Sequence, residues 1–199
     1  MKKFELTNEF ITNMSGTKLF RIRALVEFGD VEAGELGGYV EKESNLGHDD
    51  NAWVYDNAWV YGNAQVSGNA QVSGNARVYG DARVCGNALV YDNAWVYDNA
   101  WVYGNAQVSG DARVCGNGDY AYAHGFGSVN RTTTFFRLKD GGVGVRCGCF
   151  YGTLAQFRDK IRETHGETKK AQEYLMLADL MELRFEEDEN EVGNRKYVE

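Results

Sequence analysis

Residues 51–68 read NAWVYDNAWVYGNAQVSG, and the same eighteen residues return letter for letter at 93–110. The unit inside is a hexad. Eleven run without a break from Asn51 to Gly116, each with Ala second and Val fourth. Position one is Asn or Asp, and position six is Gly or Asp. Side chains two apart share a face of a strand, so Ala and Val point one way and positions three and five the other. The Gly/Asp–Asn/Asp step that follows is turn chemistry, made of residues that tolerate positive φ. Each hexad therefore predicts one short strand plus one corner. Three such sides close a triangular coil of eighteen residues, and stacked coils pair as parallel strands about 4.8 Å apart. Ala and Val fill an interior too narrow for anything larger.

Outside the hexads, Gly37-Gly38-Tyr39-Val40 and Ser44-Asn45-Leu46 fit the same register if His48-Asp49 is a two-residue insertion. After Gly116 the Ala–Val pair is lost, and residues 117–128 read as an atypical closing stretch, as solenoid ends usually are. Residues 17–26, TKLFRIRALV, alternate as a strand that caps the first coil. Residues 132–153 read as a hairpin around the turn Lys139–Gly142. Thr153 and Gln156 form a capping box opening a helix with Leu154, Phe157 and Ile161 on one face, ended by Gly166. A second helix spans about 168–185, with Tyr174, Leu177, Ala178 and Met181 inward. The expected segments are an N-terminal cap (1–36), the solenoid (37–128), a hairpin with two helices (129–185) and an acidic, disordered tail (186–199).

Composition narrows the function. At 43% apolar residues, the 199-residue chain is no simple disordered polymer. It has no apolar run long enough to span a membrane. MKKFELTNEF is neither a signal nor a transit peptide, and four cysteines in unlike contexts make no disulfide framework, so the expected compartment is the cytoplasm. The net charge of −8 argues against double-stranded nucleic acid as a partner. The tail carries six acids and two bases; the hexads carry three Arg against five Asp.

The hexad pattern resembles the hexapeptide-repeat, left-handed β-helix family, with Val54, Ala58 and Gly62 in the family's aliphatic, small and glycine roles. The left hand is implied by that resemblance alone. The expected fold is thus mainly β: a left-handed parallel β-helix with N-terminal cap strands and a small C-terminal α+β module. Together with LFRIRAL (19–25), GELGGYVEKESNL (34–46) and TTTFFRLKDGGVGVRCGCFYGTLAQF (132–157), the repeats also resemble an uncharacterised family of bacteriophages and prophages. That resemblance implies a bacterial host cell, and the wider family implies a homotrimer.

Enzymes of the hexapeptide-repeat family are acyltransferases with a His beside a subunit cleft. His48, in the insertion, is the candidate general base; His124 and His165 lie outside the regular coils. The related carbonic anhydrases hold zinc on three His, which these scattered positions do not match. Cys147-Gly148-Cys149 would set two thiols on one face of a strand, without a second ligand pair. No metal or other cofactor is expected.

The outward positions sort by the eighteen-residue coil. One face carries Trp53, Gln71, Leu89 and Gln107, with Tyr55, Ser73, Tyr91 and Ser109. The second carries Trp59, Arg77, Trp95 and Arg113, with Tyr61, Tyr79, Tyr97 and Cys115. The third carries Gln65, Arg83 and Trp101, with Ser67, Cys85 and Tyr103. Alternating Trp and Arg can stack cation on ring, bind a planar anion such as a nucleotide, or form a subunit interface. The candidate contact residues are Trp59, Arg77, Trp95, Arg113, Tyr79 and Tyr97 on the second face, and Arg83 and Trp101 on the third. The duplicated blocks start 42 residues apart, seven hexads, so identical copies fall on different faces; a site is expected where the copies differ. The sequence offers no nucleophile or metal cluster. The expected function is a non-enzymatic binding or scaffolding protein, with counter-defence by holding a host signalling nucleotide or blocking a host defence protein as its specific form. The alternatives are an acyltransferase using His48 and a structural virion or surface component.

Overall fold

The computed structural model describes residues 2–127 and 129–186. These residues form a three-sided parallel β-solenoid of about four turns, with an antiparallel extension at one end and a sheet-plus-helix module at the other. Strands β1 (Phe4–Thr12), β2 (Lys18–Ala24) and β3 (Leu36–Val40) come first. Then each hexad gives one two-residue strand at positions three and four. In order, β4 to β14 are Trp53–Val54, Trp59–Val60, Gln65–Val66, Gln71–Val72, Arg77–Val78, Arg83–Val84, Leu89–Val90, Trp95–Val96, Trp101–Val102, Gln107–Val108 and Arg113–Val114. The module is β15 (Tyr120–Phe126), β16 (Arg131–Arg137), β17 (Val143–Cys147), β18 (Phe150–Thr153), α1 (Leu154–His165) and α2 (Lys169–Phe185).

The three sides fall where the eighteen-residue arithmetic puts them, with sheet orders β4-β7-β10-β13, β5-β8-β11-β14 and β6-β9-β12. Every hexad Ala and Val has no exposed surface, so the interior is a column of small and branched side chains along the solenoid axis. The corners explain the position-six alternation. Asp56, Gly74, Asp92 and Gly110 stack in one corner, all at positive φ. Asp56 and Asp92 each accept from the backbone N–H of the glycine one coil on, at 3.0 and 3.3 Å. Asp tolerates this left-handed conformation better than most residues. At position one, side-chain amides form a ladder: Asn69 donates to Asn87 and Asn87 to Asn105, both at 3.1 Å.

The direction of the ladder dictates the chemistry of the ends. The N–H at position three donates to the Ala carbonyl of the next coil, as in Trp53 to Ala70 and Arg77 to Ala94. The first coil is left with free carbonyls and the last with free N–H groups, and a buried unpaired group costs about 1–3 kcal/mol. Donors close the first end. Lys3 Nζ donates to the Ala52 carbonyl (2.8 Å), the Tyr39 N–H to Ala58 (2.9 Å) and Asn45 Nδ2 to Ala64 (2.8 Å). Acceptors meet the last end: Asn117 Oδ1 takes the Trp101 N–H and Thr134 Oγ1 the Gln107 N–H, both at 2.9 Å.

β3 pairs with β5 at an offset of twenty residues (Tyr39 with Trp59), as does Leu46 with Val66, which is the register of a two-residue insertion. The long side continues past β3 into antiparallel β2 and β1, a seven-stranded sheet. At the other end the parallel ladder stops at Val114. The sequence expectation carried the solenoid to residue 128, but Tyr120–Phe126 pairs antiparallel with β16 as the edge of the four-stranded module sheet. Its YAYAHGF alternation suits a strand without an Ala–Val interior. Thr153 caps α1 through the expected capping box, and Gly166 ends it at φ 57°. The acidic tail falls, apart from Glu186, outside the described residues. Among the described residues no helix is long and apolar enough to cross a membrane.

Candidate functional site

The second side of the solenoid aligns the candidate side chains. Because β5, β8, β11 and β14 are in register, Trp59, Arg77, Trp95 and Arg113 stand one above another. The guanidinium of Arg77 lies 4.3 Å from the Trp59 ring centre and 4.9 Å from that of Trp95, and Arg113 lies 4.2 Å from Trp95. Each contact is worth about 0.5–2 kcal/mol. The column extends into the cap, where Arg21 sits 5.2 Å from the Tyr39 ring and Tyr39 pairs with Trp59. Beside it, Tyr61, Tyr79 and Tyr97 stack nearly parallel, with centres 5.0 and 5.2 Å apart and planes 5° and 8° apart.

None of Arg77, Arg83 and Arg113 makes an ion pair with a described carboxylate. Arg113 Nη1 donates to the Asn93 and Ala112 carbonyls at 3.0 and 2.8 Å. Arg77 is held between the Trp59 and Trp95 rings. The face thus offers cationic groups in an aromatic frame.

Burial pushes the Tyr97 phenol up to about 12, helped by the Cys115 thiol and the Asp119 and Asp98 carboxylates and opposed by Arg113. Tyr79 is pushed up further, first by burial and then by Tyr61, Tyr97 and Asp98, and burial raises Tyr61. An unfolded tyrosine ionises near 10. The raised folded values mean that the unfolded chain releases these protons first. The stabilisation is complete below about pH 10 and is lost as pH rises through the folded values. Denaturant midpoints measured from pH 8 to 12 should fall above pH 10, and less steeply in Tyr79→Phe with Tyr97→Phe.

Arg83 and Trp101 do not join this column. They lie on the third side, 5.9 Å from guanidinium to ring centre, with both side chains exposed. Trp101 Nε1 donates to Cys85 Sγ at 3.1 Å. Tyr103 closes edge-on with Tyr120 and Tyr122, beside a cleft of about 300 Å³ reached by Arg184. The first side is covered at its two ends. Trp53 is fully buried against Phe4 and Phe28, and Ser109 is buried where β16 packs on β13. Arg146 of β17 reaches over Tyr91, 5.4 Å from its ring centre.

His48 stacks on Phe4 at 4.6 Å, and its Nδ1 accepts from the Lys3 N–H at 3.2 Å. The Cys pair also differs from expectation. Cys147 ends β17 and is buried, whereas Cys149 lies exposed in the two-residue turn before β18, so the thiols do not share a strand face. The cause is the turn itself, with Gly148 at φ 59°. Among the described residues, no group of His, Cys, Asp and Glu is arranged to hold a metal ion.

Residues 52–68, 70–84, 82–98 and 94–110 match the YdcK beta solenoid repeat, a family described by its repeating coil. The matches lie on the hexads, and the chain is a β-solenoid repeat protein. No curated protein matches the chain.

Proposed function

We propose that this β-solenoid is a non-enzymatic binding or scaffolding protein whose working surface is the outward face of the long sheet. The Trp59–Arg77–Trp95–Arg113 column carries the reading. Trp, Tyr and Arg are the side chains most often energetically dominant at protein interfaces. Here they already pack on one another within the chain, which lowers the ordering cost of association. The first partner is a second and third copy of the chain, giving a homotrimer. His48 is engaged by the Phe4 ring and the Lys3 N–H, which favours a structural place for it over the general-base role of the acyltransferase alternative.

Light scattering at micromolar concentration should give three times the mass of the chain. Arg77→Ala with Arg113→Ala should shift the protein to monomer while leaving its circular dichroism unchanged. A wild-type monomer at that concentration sinks the self-association.

A second reading has its own support. The guanidinium of Arg77, set between two indole rings, also suits a planar anion. On this reading the protein works in the cytoplasm of a bacterial host, in keeping with the phage and prophage resemblance of its flanks. It would act in counter-defence, holding a signalling nucleotide or blocking a defence protein. Calorimetric titration with cyclic and linear nucleotides tests the nucleotide form, and absence of heat with all of them removes it.

A further inference from the structure

A cleft of about 220 Å³ lies in the C-terminal module, away from the solenoid faces, between α1 and the β17–β18 turn. Its floor is apolar: Phe150, Phe157 and Ile161, the last two 3% exposed. Phe150 and Phe157 pack at 5.4 Å, and Tyr174 closes the inner end edge-on to Phe157. Nitrogen-bearing groups from two elements converge on it: Arg131 at the start of β16, and Lys160 and His165 on α1. His165 is held by stacking on Tyr174 at 5.8 Å. Among the described residues no carboxylate lines the cleft; Glu163 pairs with Lys160 at 2.8 Å but is not part of the lining.

The turn is shaped to admit the arginine. Gly148 sits at φ 59°, and a Cβ there would collide with Arg131 Nη1. Any side chain at 148 would displace the guanidinium from the mouth. Beneath it, Cys147 Sγ accepts from Thr133 Oγ1 at 3.2 Å, so this thiol is part of the packed wall.

We propose that this cleft binds a small organic anion. Its carboxylate or phosphate head sits among Arg131, Lys160 and His165, and its apolar body lies on Phe150, Phe157 and Ile161. The volume is below the roughly 300–1,000 Å³ of drug-sized pockets, so the ligand is small. Cationic donors around an apolar floor are the combination that holds such an anion by charge-assisted hydrogen bonds and hydrophobic contact together.

The test is calorimetric titration of the full chain with hexanoate and with hexyl phosphate, and inorganic phosphate as the head alone. At least one amphiphile should saturate a single site, and which one does identifies the head. Inorganic phosphate should bind about tenfold more weakly or worse, because the tail contacts are lost. Arg131→Glu and Lys160→Glu should each weaken the amphiphile about tenfold or more. Thr164→Trp, which fills the cleft from α1 without touching a charge, should abolish binding. The proposal is overturned if neither amphiphile binds saturably. It is equally overturned if inorganic phosphate binds as tightly as they do, or if the charge-reversed variants bind like wild type.

Discussion

Ala76→Phe is expected to destabilise the solenoid severely, while Gln65→Phe, two sides earlier and facing out, leaves stability nearly unchanged. Ala76 has no exposed surface and stands in one column with Ala58 and Ala94. Overpacking an ordinary core costs about 1–3 kcal/mol because neighbours shift. Here they have nowhere to go. The Ala76 carbonyl accepts from the Trp59 N–H below, and the Arg77 N–H donates to Ala94 above, both at 2.9 Å. Pushing the coils apart to fit a ring breaks both ladders. A cost of at least about 4 kcal/mol is expected, a large share of the 5–15 kcal/mol that holds a domain folded. Gln65 is exposed, so its substitution should stay within about 0.5 kcal/mol. Urea denaturation followed by far-ultraviolet circular dichroism separates the two. Equal midpoints would mean that positions two and three do not face opposite ways.

That parity was open to reading because it repeats. Ala at two and Val at four fix which way every strand faces, and the eighteen-residue coil fixes which strands share a side. Even the insertion was legible, since Leu46 keeps its place opposite Val66 only at an offset of twenty. What the repeat could not reveal lies at its ends. Lys3, Asn45, Asn117 and Thr134 close the ladder from outside the hexads, and nothing in their local sequence marks them as caps. β1 was missed for a related reason. It completes the long sheet by pairing with β2, and its FELTNEFIT pattern has a register shift between Leu6 and Phe10 that blurs the alternation.

The candidate site divides in the same way. The Trp/Arg column follows from arithmetic on the sequence, and the ring-to-guanidinium contacts bear out the stacking. Which faces stay open does not follow, because the flanks fold back over the first side and bury Trp53 and Ser109. Arg83 and Trp101 stand on the third side, where the same arithmetic puts them. The anion cleft was beyond reach, because Arg131, Lys160 and His165 converge only once β16, β17 and α1 are packed together.

Gly37→Leu should detach the N-terminal cap, and this change reports on a place where the cap touches the solenoid through bare backbone. Gly37 has ordinary φ, so conformational freedom is not the reason for glycine here. Closeness is. A Cβ at 37 would stand 2.5 Å from the Val54 carbonyl oxygen, 2.7 Å from Ile22 Cγ1 and 2.8 Å from Trp53 Cζ2. The carbonyl belongs to the first coil and cannot rotate away. β3 must therefore lift off, and with it go the Tyr39–Ala58 hydrogen bond and the cover over Trp53. The expected loss is at least about 3 kcal/mol, from clash, opened cavity and orphaned carbonyls together. Trp53 gives a direct readout. It is the one fully buried indole among four, so its exposure should red-shift the fluorescence. The coils beyond the first should keep their circular dichroism, because repeat stability is carried by nearest neighbours. Gly37→Ala should show the same shift in weaker form, since its single methyl meets the same three atoms. Unchanged fluorescence in Gly37→Leu would mean that β3 does not lie against the first coil and that another element covers Trp53.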